Sequence, residues 1–328
     1  MKLFDRDGSI RTDDPEMIRI LKTAENVASS RATILLQGES GTGKELLARF
    51  IHANSPRALK RFIAINCAAV PEGLLESELF GHEKGAFTGA HQAKPGKFEL
   101  AHDSTLLLDE VSEMPMILQA KLLRVIQEGE IERLGARQPT RVNVRLIATT
   151  NRDLPSMVRR GEFREDLFYR LNVVPLRIPA LRERPRDIEN LAQFFMEVSS
   201  HLNGRPVRTL SVDAIEKLSS WRWPGNVREL ENVIERAVLF ATAESIDSSN
   251  IEIEGFAEVP HASAGASPGL SFGASAIMTV AEAERLLILK TLVHTEQNRT
   301  QAAKLLGISI RTLRNKLHEY GVSSGGTT

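Results

Sequence analysis

Apolar positions in the first 180 residues follow two alternating patterns. Continuous apolar runs occur at ATILLQG (Ala32–Gly38), RFIAINC (Arg61–Cys67), TLLLDE (Thr105–Glu110) and VRLIATTN (Val144–Asn151). Runs of this length predict strands buried on both faces. Between them, ELLARFIHAN (Glu45–Asn54) and MILQAKLLRVIQEG (Met116–Gly129) space apolar residues three and four apart, the period of a helix with one buried face. Strand and helix in alternation predict an α/β core with a parallel sheet covered on both faces, over residues 10–178. Beyond Pro179 only helical spacing remains, in RPRDIENLAQFFMEVSSHL, LSVDAIEKLSSW and NVRELENVIERAVLFA. A helical lid is expected over residues 179–254. No internal repeat is visible.

One composition shift divides the chain. From Gly255 to Val280, 16 of 26 residues are Gly, Ala, Ser or Pro, with Glu258 the single formal charge. Such a stretch buries too little apolar surface to offset its chain entropy and reads as a flexible linker over 255–280. A small all-α domain is expected over 281–322. Its elements are an amphipathic helix at Thr279–Val293, a second at Asn298–Leu306, a tight turn at Gly307-Ile308-Ser309 with Ser309 as N-cap, and a third helix at Ile310–Tyr320. Ala303, Gly307 and Leu313 fall where a helix-turn-helix needs a small residue, a turn glycine and an apolar contact. At about 100° per residue, Ile310, Leu313 and Leu317 share one face; Arg311, Thr312 and Asn315 lie opposite, flanked by Arg314 and Lys316.

Charge changes how that helical block reads. The chain has 328 residues, with 42 Lys plus Arg against 42 Asp plus Glu, so a polybasic tail protein is excluded. Against this neutral background, Gln297–Tyr320 carries Arg299, Lys304, Arg311, Arg314 and Lys316 against Glu319, a local charge of +4. Arg and Asn make bidentate contacts with guanine and adenine edges, and the other basic side chains suit phosphates, so double-stranded DNA is the expected partner. A helical hairpin with a solvated basic face gives the same pattern. So small a core is thin, and dimerisation through Thr279–Val293 is expected. At 42% hydrophobic and 26% charged residues the composition is that of a globular protein. Cys67 is the sole cysteine, which excludes an intramolecular disulfide and a thiolate cluster. No apolar run approaches the ~18 residues of a membrane span, and MKLFDRDGSI lacks a signal peptide's apolar core. A soluble, cytoplasmic protein is expected.

The candidate chemistry lies at strand ends. Gly38-Glu39-Ser40-Gly41-Thr42-Gly43-Lys44 follows an apolar strand and opens a helix, the context of a phosphate-binding loop. Its glycines let backbone amides turn toward phosphates, and Lys44 reaches the β and γ oxygens. Position 45 is Glu, where the strict motif has the Ser or Thr that binds Mg²⁺. Leu106–Leu108 ends in Asp109 and Glu110, one carboxylate suited to Mg²⁺ and the other to orienting water; a solvated strand end reads the same way. Asn151 ends another strand, where an uncharged polar group can sense the γ-phosphate or merely serve a turn. Together, these three elements point to nucleotide binding.

Taken as a set, GESGTGKE (Gly38–Glu45), ESELFGHEKGAFTGA (Glu76–Ala90), LLLDE (Leu106–Glu110), ATTNRDL (Ala148–Leu154), FREDLFYRLNV (Phe163–Val173) and WPGNVRELENV (Trp223–Val233) closely resemble the bacterial enhancer-binding proteins. These are AAA+ P-loop ATPases of the nitrogen-regulator type that activate sigma-54 RNA polymerase. The resemblance runs from about Ile10 to the C-terminus, and GAFTGA is its most specific part. The family's phosphate loop also ends in Glu, so Glu45 is compatible with ATP, and the Mg²⁺ would lean on Asp109.

The resemblance implies roles residue by residue. Gly38, Glu39, Ser40, Gly41, Thr42, Gly43, Lys44 and Glu45 would be Walker A. Asp109 and Glu110 would be Walker B, with Asn66 as the switch asparagine holding Glu110. Asn151 would be sensor I and Arg228 sensor II. Arg164 and Arg170 would be arginine fingers acting on the ATP of an adjacent subunit, which requires an oligomer, usually a hexameric ring. From the residues alone, ion pairs with Glu162, Glu165 or Asp166 are the more frequent reading. Gly85, Ala86, Phe87, Thr88, Gly89 and Ala90 would grip sigma-54; by pattern they form a Gly-rich loop with either an exposed aromatic tip or a locally packed one. The C-terminal domain resembles the Fis-type helix-turn-helix of the same family. The implied function is ATP-driven remodelling of the sigma-54 RNA polymerase holoenzyme from an upstream DNA site. A nucleotide-gated repressor that does not need sigma-54 is the rival, although such relatives lose GAFTGA. Many family members belong to two-component systems and carry an N-terminal receiver; here the ATPase motifs start so early that no receiver is expected, with control in trans or a shortened chain.

Overall fold

A computed structural model describes residues 10–206, 209–241, 245–253, 284, 287–288, 291–292, 295 and 298–319. The expected linker 255–280 and most of the expected helix 279–293 lie outside the described residues. The chain divides into two compact units, Met1–Ile253 and Glu254–Thr328.

The first unit is built on five parallel strands, β1 Ile34–Gln37, β2 Phe62–Asn66, β3 Thr105–Asp109, β4 Arg145–Thr150 and β5 Val174–Arg177, in the order β2-β3-β4-β1-β5. The four apolar runs supply the first four. The fifth carries no apolar run: Pro175 and Arg177 are exposed and Leu176 alone is buried; the other edge, β2, keeps its run although Ala64 is exposed and Ile65 is its one buried residue. Alternate residues of the buried strands serve opposite faces. Leu35, Leu106, Leu108 and Ala148 pack with Leu75 and Leu79 of helix Glu72–Phe80 and with Leu118 and Leu122 of helix Met116–Glu128. Ile34, Leu36, Leu107 and Ile147 pack with Met17, Ile20 and Ala24 of helix Pro15–Ala28 and with Leu47 and Ile51 of helix Lys44–Ala53. Both faces are covered, as the alternation predicts.

The helical lid follows. Arg186–Leu202, Val212–Ser220 and Asn226–Phe240 are the three helices expected, and they enclose their own core. A two-residue parallel pair, Thr209–Leu210 with Ser245–Ile246, joins them; so short a pairing leaves no period to read. Trp223 sits at the centre, fully buried, with Nε1 donating to the Leu218 carbonyl at 2.8 Å. Its φ of +52° is costly for a bulky residue and is held by that burial.

In the second unit, helices Arg299–Leu306 and Ile310–Glu319 flank Gly307, whose φ of +68° makes the turn. Ser309 Oγ accepts from the Thr312 amide at 3.0 Å, the expected N-cap. Ile288, Leu292, Ala302, Ala303, Leu313 and Leu317 form the core. Ile310, placed by periodicity on the buried face, is instead 38% exposed and does not join that core. Among the described residues no helix is long and apolar enough to cross a membrane.

Replacing Trp223 by Ala is expected to cost about 3–5 kcal/mol in the unfolding of the lid, from lost transfer energy and the cavity left behind. Denaturant titration followed by circular dichroism measures it; a cost below 1 kcal/mol would contradict this packing.

Candidate functional site

The sheet order places the candidate residues at one edge. Strand β1 runs into Gly38–Gly43, and its neighbour β4, lying between β1 and β3, ends at Thr150 and Asn151. Asp109 ends β3 and Glu110 follows it. A cleft of about 660 Å³ opens there, lined by Ser40, Gly41, Gly43, Lys44, Glu45, Asn66, Asp109, Glu110, Asn151, Arg228 and Glu231, among others. Positive φ at Gly41 (+77°) and Gly43 (+103°) curls the loop, and a Cβ at Gly41 would lie 2.3 Å from the Gly225 carbonyl oxygen. Lys44 is 6% exposed and donates through Nζ to the carbonyls of Gly38 (2.9 Å) and Glu39 (3.1 Å). The same ammonium lies 3.4 Å from Glu110 Oε1. Glu45 pairs with Arg49 one helical turn on, at 2.7 Å.

The acidic pair is held from two sides. Thr149 Oγ1 donates to Asp109 Oδ1 at 2.6 Å and accepts from the Glu110 amide at 2.9 Å. Asn66 Nδ2 donates to Asp109 Oδ2 at 2.7 Å, while its Oδ1 accepts from the amides of Ala68 and Ala69. This corrects the expectation that Asn66 holds Glu110: in the parallel register Asn66 stands directly opposite Asp109, so its amide reaches that carboxylate first. Glu110 instead accepts from the Asn151 amide at 3.1 Å and adopts φ +53°, a left-handed conformation rare outside Gly and Asn. Burial, with Asp109 and Glu110 adding, pushes the neighbouring Cys67 thiol up to about 12, so it stays protonated and inert.

The lid closes the site. Asn226, buried with φ +54°, donates through Nδ2 to the Ser40 carbonyl (2.9 Å) and to Glu39 Oε2 (3.2 Å) and accepts the Leu181 amide. Glu39 is also gripped by Arg182, whose hydrogen bonds hold its carboxyl below the usual range. Contiguous with the cleft at Gly43, Leu46 and Val227 is a smaller, largely apolar recess that also includes Ile10, Met17, Leu47, Ile178 and Leu191. Arg184 lies on its wall at 3% exposure, and its Nε–H has no acceptor among the described residues. This recess lies beside a phosphate-type loop and has a buried donor to spare, but at about 30 Å³ it has room for only a water-sized group. The sequence reading missed Thr149, Asn226 and this recess; the adjacent ATTN and GNVR motifs were the only signals for the first two.

The remaining candidates of the first unit do not line this cleft. Arg164 is paired with Asp166 through two hydrogen bonds of 3.0 and 2.7 Å, and Arg170 is exposed with no ion-pair partner among the described residues. The Gly85–Ala90 loop is closed by the Gly85 amide donating to the Ala90 carbonyl at 2.8 Å, with φ +82° at Gly85 and +105° at Gly89. Phe87 is 39% exposed and meets the His82 ring edge-on, centroids 5.0 Å apart, so the tip is half-presented and half-supported. In the second unit Arg311, Thr312, Arg314 and Asn315 are exposed and Arg299 half-buried. Lys316, expected among the phosphate contacts, pairs with Glu284 at 2.8 Å. Lys304 lies within helix Arg299–Leu306.

Comparison with known proteins identifies the family. Residues 10–177 match the sigma-54 interaction domain, 182–267 the AAA+ ATPase lid domain, and 279–320 the bacterial regulatory protein Fis family. The transcriptional regulatory protein FlbD of Caulobacter vibrioides is 54% identical over 314 residues, covering 94% of this chain and 69% of that protein. The regulatory protein AtoC of Escherichia coli is 50% identical over 316 residues, covering 96% and 68%. The crystal structure of NtrX from Brucella abortus with ADP superposes with a TM-score of 0.73 at 33% identity, covering 96% of this chain and 69% of that one. The chain belongs to the sigma-54-dependent transcriptional activators with an AAA+ domain. It binds and hydrolyses ATP and acts on sigma-54 polymerase and DNA.

Replacing Thr149 by Val removes the hydroxyl that donates to the Asp109 carboxylate and accepts the Glu110 amide, and is expected to lower ATP turnover about 10–100-fold, as loss of such an orienting partner does at comparable sites. Steady-state ATPase assays check this, and a rate within twofold of wild type would exclude the role.

Proposed function

We propose that the cleft between the 38–44 loop, the Asp109–Glu110 pair and Arg228 is the ATP site of a ring-forming cytoplasmic motor, and that hydrolysis there moves the Gly85–Ala90 loop against sigma-54. The convergence of Lys44, Asp109, Glu110, Asn151 and Arg228 on one cleft is the observation that supports it. The loop amides and Lys44 take the phosphates, and Glu110 orients the attacking water. Asp109 has both oxygens positioned by neighbours and a lone pair left on each, which suits a Mg²⁺ held through one carboxylate, phosphates and water. That ion, when bound, would neutralise charge on the β and γ oxygens. Asn66 serves Asp109 as an orienting partner, and Asn151 and Arg228 sense the phosphates.

Arg164 and Arg170 do not line their own cleft, which favours service to a neighbouring protomer's nucleotide in a hexamer. An arginine supplied in trans is worth ~10³–10⁵ in rate. Arg164 would first have to leave Asp166, a solvent-exposed and therefore weak pair. Gly85, Ala86, Phe87, Thr88, Gly89 and Ala90 form the contact with sigma-54. Arg299, Lys304, Arg311, Thr312, Arg314 and Asn315 meet DNA, while Lys316 braces the domain through Glu284. The working division is an ATPase core at 10–178, a lid at 179–254, a linker at 255–280 and a DNA-binding domain at 281–322. Membership of a two-component system is a further element of the proposal, carried by the relatives' names as response and transcriptional regulators.

Two measurements test the assembly and the coupling. ATPase rate per subunit is expected to rise with protein concentration in wild type and to stay near background for Arg170→Ala; a concentration-independent rate would argue against action in trans. Phe87→Ala is expected to abolish sigma-54-dependent open-complex formation with ATPase turnover retained, and preserved activation would remove Phe87 from the coupling.

A further inference from the structure

Three successive carbonyls of the phosphate loop are each held by the lid. Ser40 accepts from Asn226 Nδ2 at 2.9 Å, Gly41 from the Val227 amide at 3.0 Å, and Thr42 from Arg184 Nη2 at 2.9 Å. In a planar trans peptide unit the C=O of one residue and the N–H of the next point in opposite directions. Fixing these carbonyls outward therefore aims the amides of Gly41, Thr42 and Gly43 the other way. None of those amides has a hydrogen-bond acceptor among the described residues, and the cleft lies along the loop there.

The holding groups are themselves fixed. Asn226 is fully buried and its Oδ1 accepts the Leu181 amide at 2.8 Å. Arg184 is buried 3.6 Å from Asp187, and that buried carboxylate accepts from Thr12 Oγ1 and from the amides of Asp13 and Asp14. The lid thus reaches the loop through a rigid train of buried contacts rather than through mobile surface side chains.

We propose that Asn226 and Arg184 are positioning residues for the phosphate loop: by holding its outward carbonyls, the lid sets how strongly the loop's amides bind polyphosphate. This rests on reading the cleft as the nucleotide site. Neither side chain is required to touch the nucleotide for this effect; each acts through the backbone of the loop. Lid position and phosphate affinity are then one coupled quantity.

The test is calorimetric titration of the full chain with inorganic tripolyphosphate and, separately, with ADP, alongside steady-state ATPase kinetics. Asn226→Gly keeps the left-handed backbone and removes the amide. Loss of a buried hydrogen bond to the loop is expected to weaken tripolyphosphate and ADP by a similar factor, about tenfold. KM for ATP should rise by that factor, with kcat changed much less. Unchanged tripolyphosphate affinity in Asn226→Gly, with a thermal midpoint near wild type, would overturn the proposal. Should Asn226→Gly fail to fold, Arg184→Lys carries the test, since it keeps the charge beside Asp187 with a less extended donor; a raised KM with retained kcat supports the proposal and an unchanged KM overturns it. Wild-type protein that binds neither probe would instead remove the reading of the cleft itself.

Discussion

A loop that must offer several amide protons to one anion has to send its carbonyls elsewhere, and in this protein they go to the lid. Ser40, Gly41 and Thr42 each accept from a lid group, and Glu39 is tied to Arg182 and Asn226. The conformation of residues 38–43 is therefore shared property of two subdomains. The ATPase core supplies the strand that launches the loop, and the lid supplies the contacts that keep it open. Four backbone amides at a helix start carry positive potential by themselves, but their mutual orientation is what turns that potential into a phosphate site.

The same economy governs the acidic edge. Parallel register sets Asn66 opposite Asp109, and strand β4 between β1 and β3 brings the Thr149 hydroxyl to the Asp109 carboxylate and the Glu110 amide. Each oxygen of Asp109 thereby has a fixed donor. Glu110, by contrast, is held by a backbone amide and by Lys44, in a backbone conformation that stores strain. One acid is clamped and its neighbour is poised, a difference in environment well suited to a difference in role.

Away from the cleft, Phe87 leans on His82, whose Nδ1 is hydrogen-bonded to Ser77 Oγ at 2.7 Å, and Arg133 ties Glu83 to Glu99 beneath the loop. The loop that carries the aromatic tip is thus rooted in charged and polar contacts with the body of the core. In the second unit, Lys316 pairs with Glu284, a residue outside the basic segment counted along the sequence.

Much of this protein was legible along the chain, because strand runs, helical spacing and glycine punctuation are local signals. Four of the five sheet strands, the lid helices, the phosphate loop, the acidic strand end and the turn at Gly307 all follow from neighbours within a few residues of one another. The rest needed distant segments to meet. Edge strand β5 carries no apolar run. Asn66 and Asp109 are 43 residues apart, and only register pairs them. Asn226 and Ser40 are 186 residues apart, and only the packing of lid on core joins them. The chain by itself determined which residue types stand ready for phosphate, metal and nucleic-acid chemistry. The tertiary structure alone decided which partner each one holds, because hydrogen bonds between remote segments depend on distances that no local period encodes.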